Sequence, residues 1–145
     1  MKYNYLTDEN INHFIDNALA EDIGDGDHTS LSSIPSTEIK KAKLIMKASG
    51  IIAGVELALK IFSKVDSSLK VETFKNDGDS VVEGDIILTV EGKAQNILTA
   101  ERLALNCLQR MSGIASYVNS LQQMISHTKA TVFPCFWISR TISAF

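Results

Sequence analysis

The chain has 145 residues, with 14 Lys and Arg against 17 Asp and Glu, and a formal net charge of −3. At 45% apolar residues it can bury one core, and no apolar run approaches the roughly 18 residues a bilayer crossing needs, so a membrane-spanning class is excluded. A mildly acidic balance without a Lys/Arg block excludes a general nucleic-acid or anionic-membrane surface.

In chain order, Ile11, Phe14, Ile15, Ala18 and Leu19 fit the i, i+3, i+4, i+7, i+8 template of an amphipathic helix, with Thr7 or Asp8 as its N-cap. Asp8 and Glu9 also interrupt the N-terminal stretch before an apolar signal core forms, so a cytoplasmic location is expected. The stretch Glu21 to Ser30, rich in Gly, Asp and Ser, predicts that the helix stops and an ordered loop follows. Asp22, Asp25, Asp27 and His28 suggest a metal, but counting from Asp22 puts Gly24 at position 3, Gly26 at 5 and Ser33 at 12, which is not the calcium-loop pattern. A structural role fits better, with Asp27, Thr29 or Ser30 bonding the loop backbone and the glycines freeing φ. No role is assigned to Asp25 or His28.

Lys40 to Ala48 reads as a strand around Leu44, Ile45 and Met46, followed by the Gly-bracketed run Gly50-Ile51-Ile52-Ala53-Gly54. Val55, Ala58, Leu59 and Phe62 predict a short helix that needs a packing partner. Leu69–Phe74, Ser80–Val82 and Ile86–Val90 are three short strands separated by turns at Asn76–Asp79 and Glu83–Asp85. From about Asn96 the helical pattern returns for nearly 30 residues, with Ser112-Gly113 as an expected kink or break. Beyond it Ile114, Tyr117, Val118, Leu121 and Ile125 form an apolar stripe that needs a core or a partner.

Two cysteines, Cys107 and Cys135, sit in no CxxC or His-spaced pattern, which points to a reducing compartment and away from disulfide or zinc frameworks. Residues 130–139 carry no charge and hold two of the six Phe and the single Trp. They are either a buried C-terminal strand or the point where a larger fold is interrupted.

Two segments invite a chemical reading. The turn-strand-turn-strand rhythm of Asn76 to Gly92 resembles hammerhead and barrel-sandwich modules such as biotinyl and lipoyl carrier domains, in which a lysine is modified at a hairpin tip. Here the nearest lysine is Lys93, in Gly-Lys-Ala rather than a carrier context, so the rhythm reads as a fold signature. On the long helix, 100° per residue places Arg102, Asn106 and Gln109 on one face and Ala100, Ala104, Cys107 and Met111 on the other. Arg102 and Arg110 are then either solvated or ion-paired surface residues, or guanidinium forks that clamp a carboxylate ligand. Pattern alone leaves both open.

A resemblance adds to this. Glu-Asp-Ile-Gly-Asp-Gly-Asp-His-Thr-Ser (21–30), Gly-Ile-Ile-Ala-Gly-Val (50–55), Asp-Gly-Asp (77–79) and Glu-Arg-Leu-Ala-Leu-Asn-Cys-Leu-Gln-Arg-Met-Ser-Gly-Ile-Ala (101–115) together resemble the quinolinate phosphoribosyltransferases, also called nicotinate-nucleotide pyrophosphorylases (carboxylating). The resemblance covers roughly Asp8 to Val132. It implies an α+β fold: a hammerhead/barrel-sandwich-like N-terminal domain over residues 1–113 with the start of a long helix. Residues 114–132 would be the helix and first strand leading into a barrel, and residues 133–145 a tail outside the family pattern. The family forms nicotinate mononucleotide, carbon dioxide and diphosphate from quinolinate and phosphoribosyl diphosphate in de novo NAD synthesis. It implies a cytoplasmic homodimer in which Arg102, at the arginine of the family's Glu-Arg-x-x-Leu-Asn motif, binds quinolinate in the neighbouring subunit's site.

The family's Thr-Arg-Lys-Thr motif is due after Val132, where the chain reads Phe133-Pro134-Cys135-Phe136-Trp137 instead. An α/β barrel takes on the order of 200 residues, so it is expected to be missing here, through truncation or a frameshift. No catalytic residue is therefore assigned in this chain, magnesium is expected only in the complete enzyme with no ligand residue here, and the chain alone is expected to be inactive and poorly soluble. The alternatives are a molybdenum-transport-associated ModD-like relative, or a non-catalytic dimerisation or carrier-like module.

Overall fold

In the computed structural model, which describes residues 7–23, 35 and 38–132, the first helix, α1 (Asp8–Ile23), starts at Thr7. The Thr7 Oγ1 accepts the Asn10 N–H at 3.2 Å and the Thr7 carbonyl accepts that of Ile11 at 3.0 Å, the role of an N-cap. The expected stop at Glu21 is not observed: the helix runs on through Glu21 and Asp22 to Ile23. The remainder of the loop, including Asp25, Asp27 and His28, lies outside the described residues. The inner face of α1 buries Ile15 and Leu19, with Phe14 and Ala18 packed beside them.

Among the described residues five strands follow in two antiparallel sheets. β1 (Ile39–Ile45), β5 (Ile86–Lys93) and β3 (Lys70–Thr73) form one sheet in the order β1-β5-β3, and β2 (Gly50–Ile51) pairs with β4 (Ser80–Val81) in the other. Along β1 and just past it Ala42, Leu44 and Met46 turn inward while Lys41, Lys43 and Ile45 face out, the two-residue period of a half-buried strand. The central strand β5 is buried from Ile87 through Val90. It extends three residues beyond its expected end, because Glu91, Gly92 and Lys93 pair with Lys41, Lys40 and Ile39. Ladder bonding there overrides the polar composition. Lys93 is thus the last residue of a strand that runs directly into a helix, and not the tip of a hairpin, which removes the structural basis of the carrier reading.

Between β2 and β3 in the chain comes α2 (Val55–Val65), which buries Val55, Ala58, Ile61 and Phe62. Leu59, an expected contact, is only half-buried, and Ile61 takes the innermost place. Gly54 precedes α2 at φ +98° and offers no side-chain cap. The cap comes from across the fold: the Asp77 carboxylate accepts the N–H of Val55 at 2.7 Å and of Glu56 at 3.3 Å. Around it Gly78 donates its N–H to the Ile52 carbonyl at 2.8 Å, and Ile52 donates to Asp79 at 3.0 Å. The Gly-Ile-Ile-Ala-Gly-Val and Asp-Gly-Asp segments, far apart in sequence, therefore form one docked unit.

The last helix, α3 (Ala94–Met124), is 31 residues long and runs without interruption through Ser112 and Gly113, where a break was expected. Ser112 bonds outward instead. Its hydroxyl accepts the Ala53 N–H at 3.0 Å and donates to the Ala53 carbonyl at 3.2 Å. One turn later Ser116 does the same for Ile51, at 2.8 and 3.4 Å. Four helical residues rise roughly 6 Å and two strand residues about 6.6 Å, so the i, i+4 hydroxyls match alternate residues of an extended segment. The close approach requires Gly50: a Cβ there would lie 2.4 Å from the Ser116 Oγ. Past Met124, residues 125–129 form turns; the strand expected before residue 132 does not begin among the described residues.

Candidate functional site: the outer face of α3 beside α1

The core fixes α3 through Ile97, Ala100, Leu103, Ala104 and Leu108, all buried. The opposite face then points outward by helical geometry, and Arg102, Asn106, Gln109 and Arg110 are all exposed. The polar stripe expected at Arg102, Asn106 and Gln109 is therefore on one open face.

The Arg102 side chain is 75% exposed and stands on a rigid helix turn between buried residues. Its Nε lies 3.3 Å from the Asp22 carboxylate on α1, which is itself only 23% exposed. This is an ion pair at a solvated site, a tether worth little in stability. Asp22 entered the sequence reading through the metal-loop pattern and the family-like segment 21–30; its pairing with Arg102 spans 80 residues and leaves no local signal. Most of the guanidinium stays open to solvent, and a guanidinium can accept a carboxylate through paired N–H donors.

Beside this pair α1, α2 and α3 enclose a cleft of about 160 Å³. Phe14, Ala18 and Leu57 form its apolar wall, and Glu21, Asp22, Asn106 and Arg110 supply its polar groups. Cys107 also lines it; burial pushes its thiol pKa up, with the positive charge of Arg110 opposing. A protonated, half-buried thiol is a poor nucleophile, and among the described residues no imidazole lines the cleft. Among the described residues no three His, Cys, Asp or Glu side chains gather as a metal site, and none of the described helices is long and apolar enough to cross a membrane. Among the described residues the arrangement offers charge recognition by arginine.

The described residues form a two-sheet α+β unit that holds a long helix by its serines and displays an arginine from that helix. The family model of the quinolinate phosphoribosyl transferase N-terminal domain matches residues 27–112, and the chain belongs to that family. It is 49% identical over 105 residues to a chloroplastic nicotinate-nucleotide pyrophosphorylase (carboxylating) of rice, a match covering 72% of this chain and 28% of the rice protein. It is 39% identical over 106 residues to a probable nicotinate-nucleotide pyrophosphorylase of Bacillus subtilis, covering 73% of this chain and 35% of that protein. Among solved structures, NadC from Streptococcus pyogenes superposes with a TM-score of 0.73 at 32% identity, covering 78% of this chain and 41% of that one. The nicotinate-nucleotide pyrophosphorylase of Francisella tularensis gives 0.79 at 28% identity, over 87% and 45%. The chain thus spans about a third of the length of the curated relatives it matches.

Proposed function

We propose that this chain is the N-terminal portion of a quinolinate phosphoribosyltransferase of NAD biosynthesis, and that Arg102 binds a carboxylate of quinolinate in a site completed by a neighbouring subunit. The observation that carries the reading is Arg102 itself: it stands in Glu-Arg-Leu-Ala-Leu-Asn (101–106), locked at its base by buried Leu103 and Ala104 while its side chain is 75% exposed. A dicarboxylate needs fixed guanidinium donors, and an outward-facing arginine on a fixed helix turn supplies them.

In this reading the assembly is a homodimer, and phosphoribosyl diphosphate is the second substrate. Magnesium would assist the diphosphate in the complete enzyme; the described residues gather no ligand set for it, so no step here runs through the ion. The absence of a paired-cysteine pattern supports a cytoplasmic location.

The test is growth of a bacterial strain lacking its own nicotinate-nucleotide pyrophosphorylase on medium without nicotinate. Residues 1–126 joined to the corresponding C-terminal portion of the Bacillus subtilis relative should restore growth, and Arg102→Ala in that fusion should abolish it, while the 145-residue chain alone should not support growth. A fusion that grows equally well with Arg102→Ala would refute the role of Arg102.

A further inference from the structure

The described chain ends against the outer half of α3. That helix is stitched to the body at Ser112 and Ser116; farther on, among the described residues, its side chains bond to its own turn through Ser120 and to the chain that follows it through Gln122. Its apolar residues Ile114, Val118, Leu121 and Ile125 are partly exposed, and none joins the buried core or packs against it. At about 100° per residue the four fall within roughly 60° of arc, one continuous stripe.

From Met124 the chain reverses. Thr128 donates its N–H to the Ile125 carbonyl at 2.9 Å, and its hydroxyl accepts the Ala130 N–H at 3.1 Å. The returning segment is then gripped by a single side chain on the flank of the stripe, Gln122. The Gln122 Oε1 accepts the Val132 N–H at 2.9 Å, and its Nε2 donates to the Ala130 carbonyl at 3.4 Å. Both halves of one amide hold alternate residues of the chain, and Val132 is half-buried there. Val132, the last described residue, is therefore held beside α3, level with Gln122.

What comes next is Phe133-Pro134-Cys135-Phe136-Trp137-Ile138, uncharged and rich in large apolar side chains. The distance from Gln122 back to Ile114 is roughly 12 Å along the axis, and six extended residues reach about 20 Å. An open apolar stripe, a chain held at Gln122 on its flank and an apolar sequence of sufficient length coincide.

We propose that residues 133–145 dock on the Ile114–Val118–Leu121–Ile125 stripe of their own α3 as an intramolecular cover. The inference is independent of the catalytic reading, since it concerns how this chain closes its own exposed helix. Trp137 is the single tryptophan, so its fluorescence in the full 145-residue chain reports the contact directly. The expected result is blue-shifted emission shielded from acrylamide, unchanged on dilution. Leu121→Asp on the helix and, separately, Phe136→Ser in the tail should each shift the emission to that of the urea-unfolded chain and remove the shielding. The tail variant leaves α3 untouched, so unchanged far-ultraviolet circular dichroism keeps the test valid even if Leu121→Asp unfolds. Emission already at the unfolded value in the parent chain, or shielding that survives both substitutions, overturns the proposal. So does shielding lost on dilution, which would assign the stripe to a second copy.

Discussion

Ser112 shows how a residue of poor helical standing becomes a fastening point. Serine in a helix competes for backbone bonds, and next to Gly113 it reads as a break. In the fold it is 8% exposed, and its hydroxyl both accepts from and donates to Ala53, 59 residues away. Removing it strands a half-buried N–H and carbonyl. Ser112→Ala is expected to cost about 1 kcal/mol, the lower end of the usual penalty for an orphaned polar group, with Ser116→Ala milder because its donated bond is longer. Urea unfolding of the full chain, with an unchanged slope, measures both; a Ser112→Ala midpoint equal to that of the parent would dismiss the stitch. The sequence could not reveal this role, because the partner is a backbone group with no residue signature. Arg102 is the converse case: its exposure followed from helical geometry alone, whereas its partner Asp22 was visible only in three dimensions.

At the level of elements, α2 lacks a cap of its own and borrows one. Its N-terminal N–H groups are satisfied by Asp77, delivered on the Asn76–Asp79 turn. Asp77→Ala should therefore lower stability by about 1 kcal/mol, in the range of a lost N-cap, and should speed hydrogen exchange at the Val55 amide. Asp77→Asn keeps an acceptor oxygen and should lose less. Exchange at Val55 unaffected by Asp77→Ala would show that the cap contributes nothing. The elements themselves were largely legible, because the apolar run Leu44, Ile45 and Met46 marks a strand and Val55, Ala58 and Phe62 recur at helical spacing. Their limits were not: β5 gained Glu91 to Lys93 by pairing, and α1 kept Glu21 and Asp22, both outcomes of tertiary contacts that override local composition.

Across the whole molecule, two carboxylates tie separate elements and give stability a definite pH dependence. Asp66 is held below the usual carboxylate range by the Ser68 hydroxyl, the Ser68 N–H and the Asn96 amide, which joins the end of α2 to the start of α3. Asp85 is held low by the Val82 N–H and by Lys75, 3.1 Å away. Because both folded values are depressed, their contribution is fully present above the unfolded value of about 4 and is lost as pH falls through the folded values. The thermal midpoint should be flat from neutral pH down to about 5 and drop below about 4. Asp66→Asn should lower the neutral plateau and flatten the acid limb; a parent-like acid limb in that variant would exclude Asp66 as a source. The family motifs also follow from this scale, since Gly-Ile-Ile-Ala-Gly-Val, Asp-Gly-Asp and the α3 serines meet as one docked assembly.

The paired hydroxyls of α3 also act as an origin of measurement. With Ser112 and Ser116 pinned to Ala53 and Ile51, every upstream side chain has its bearing set by counting back along the helix. Arg102 stands ten residues before Ser112, roughly 15 Å along the axis. One residue inserted between them would swing the guanidinium by about 100° and advance it by about 1.5 Å, away from Asp22 and off its present heading. The spacing between the two positions is thus a dimension of the fold in its own right, and substitutions that keep the count leave it intact while a single insertion does not.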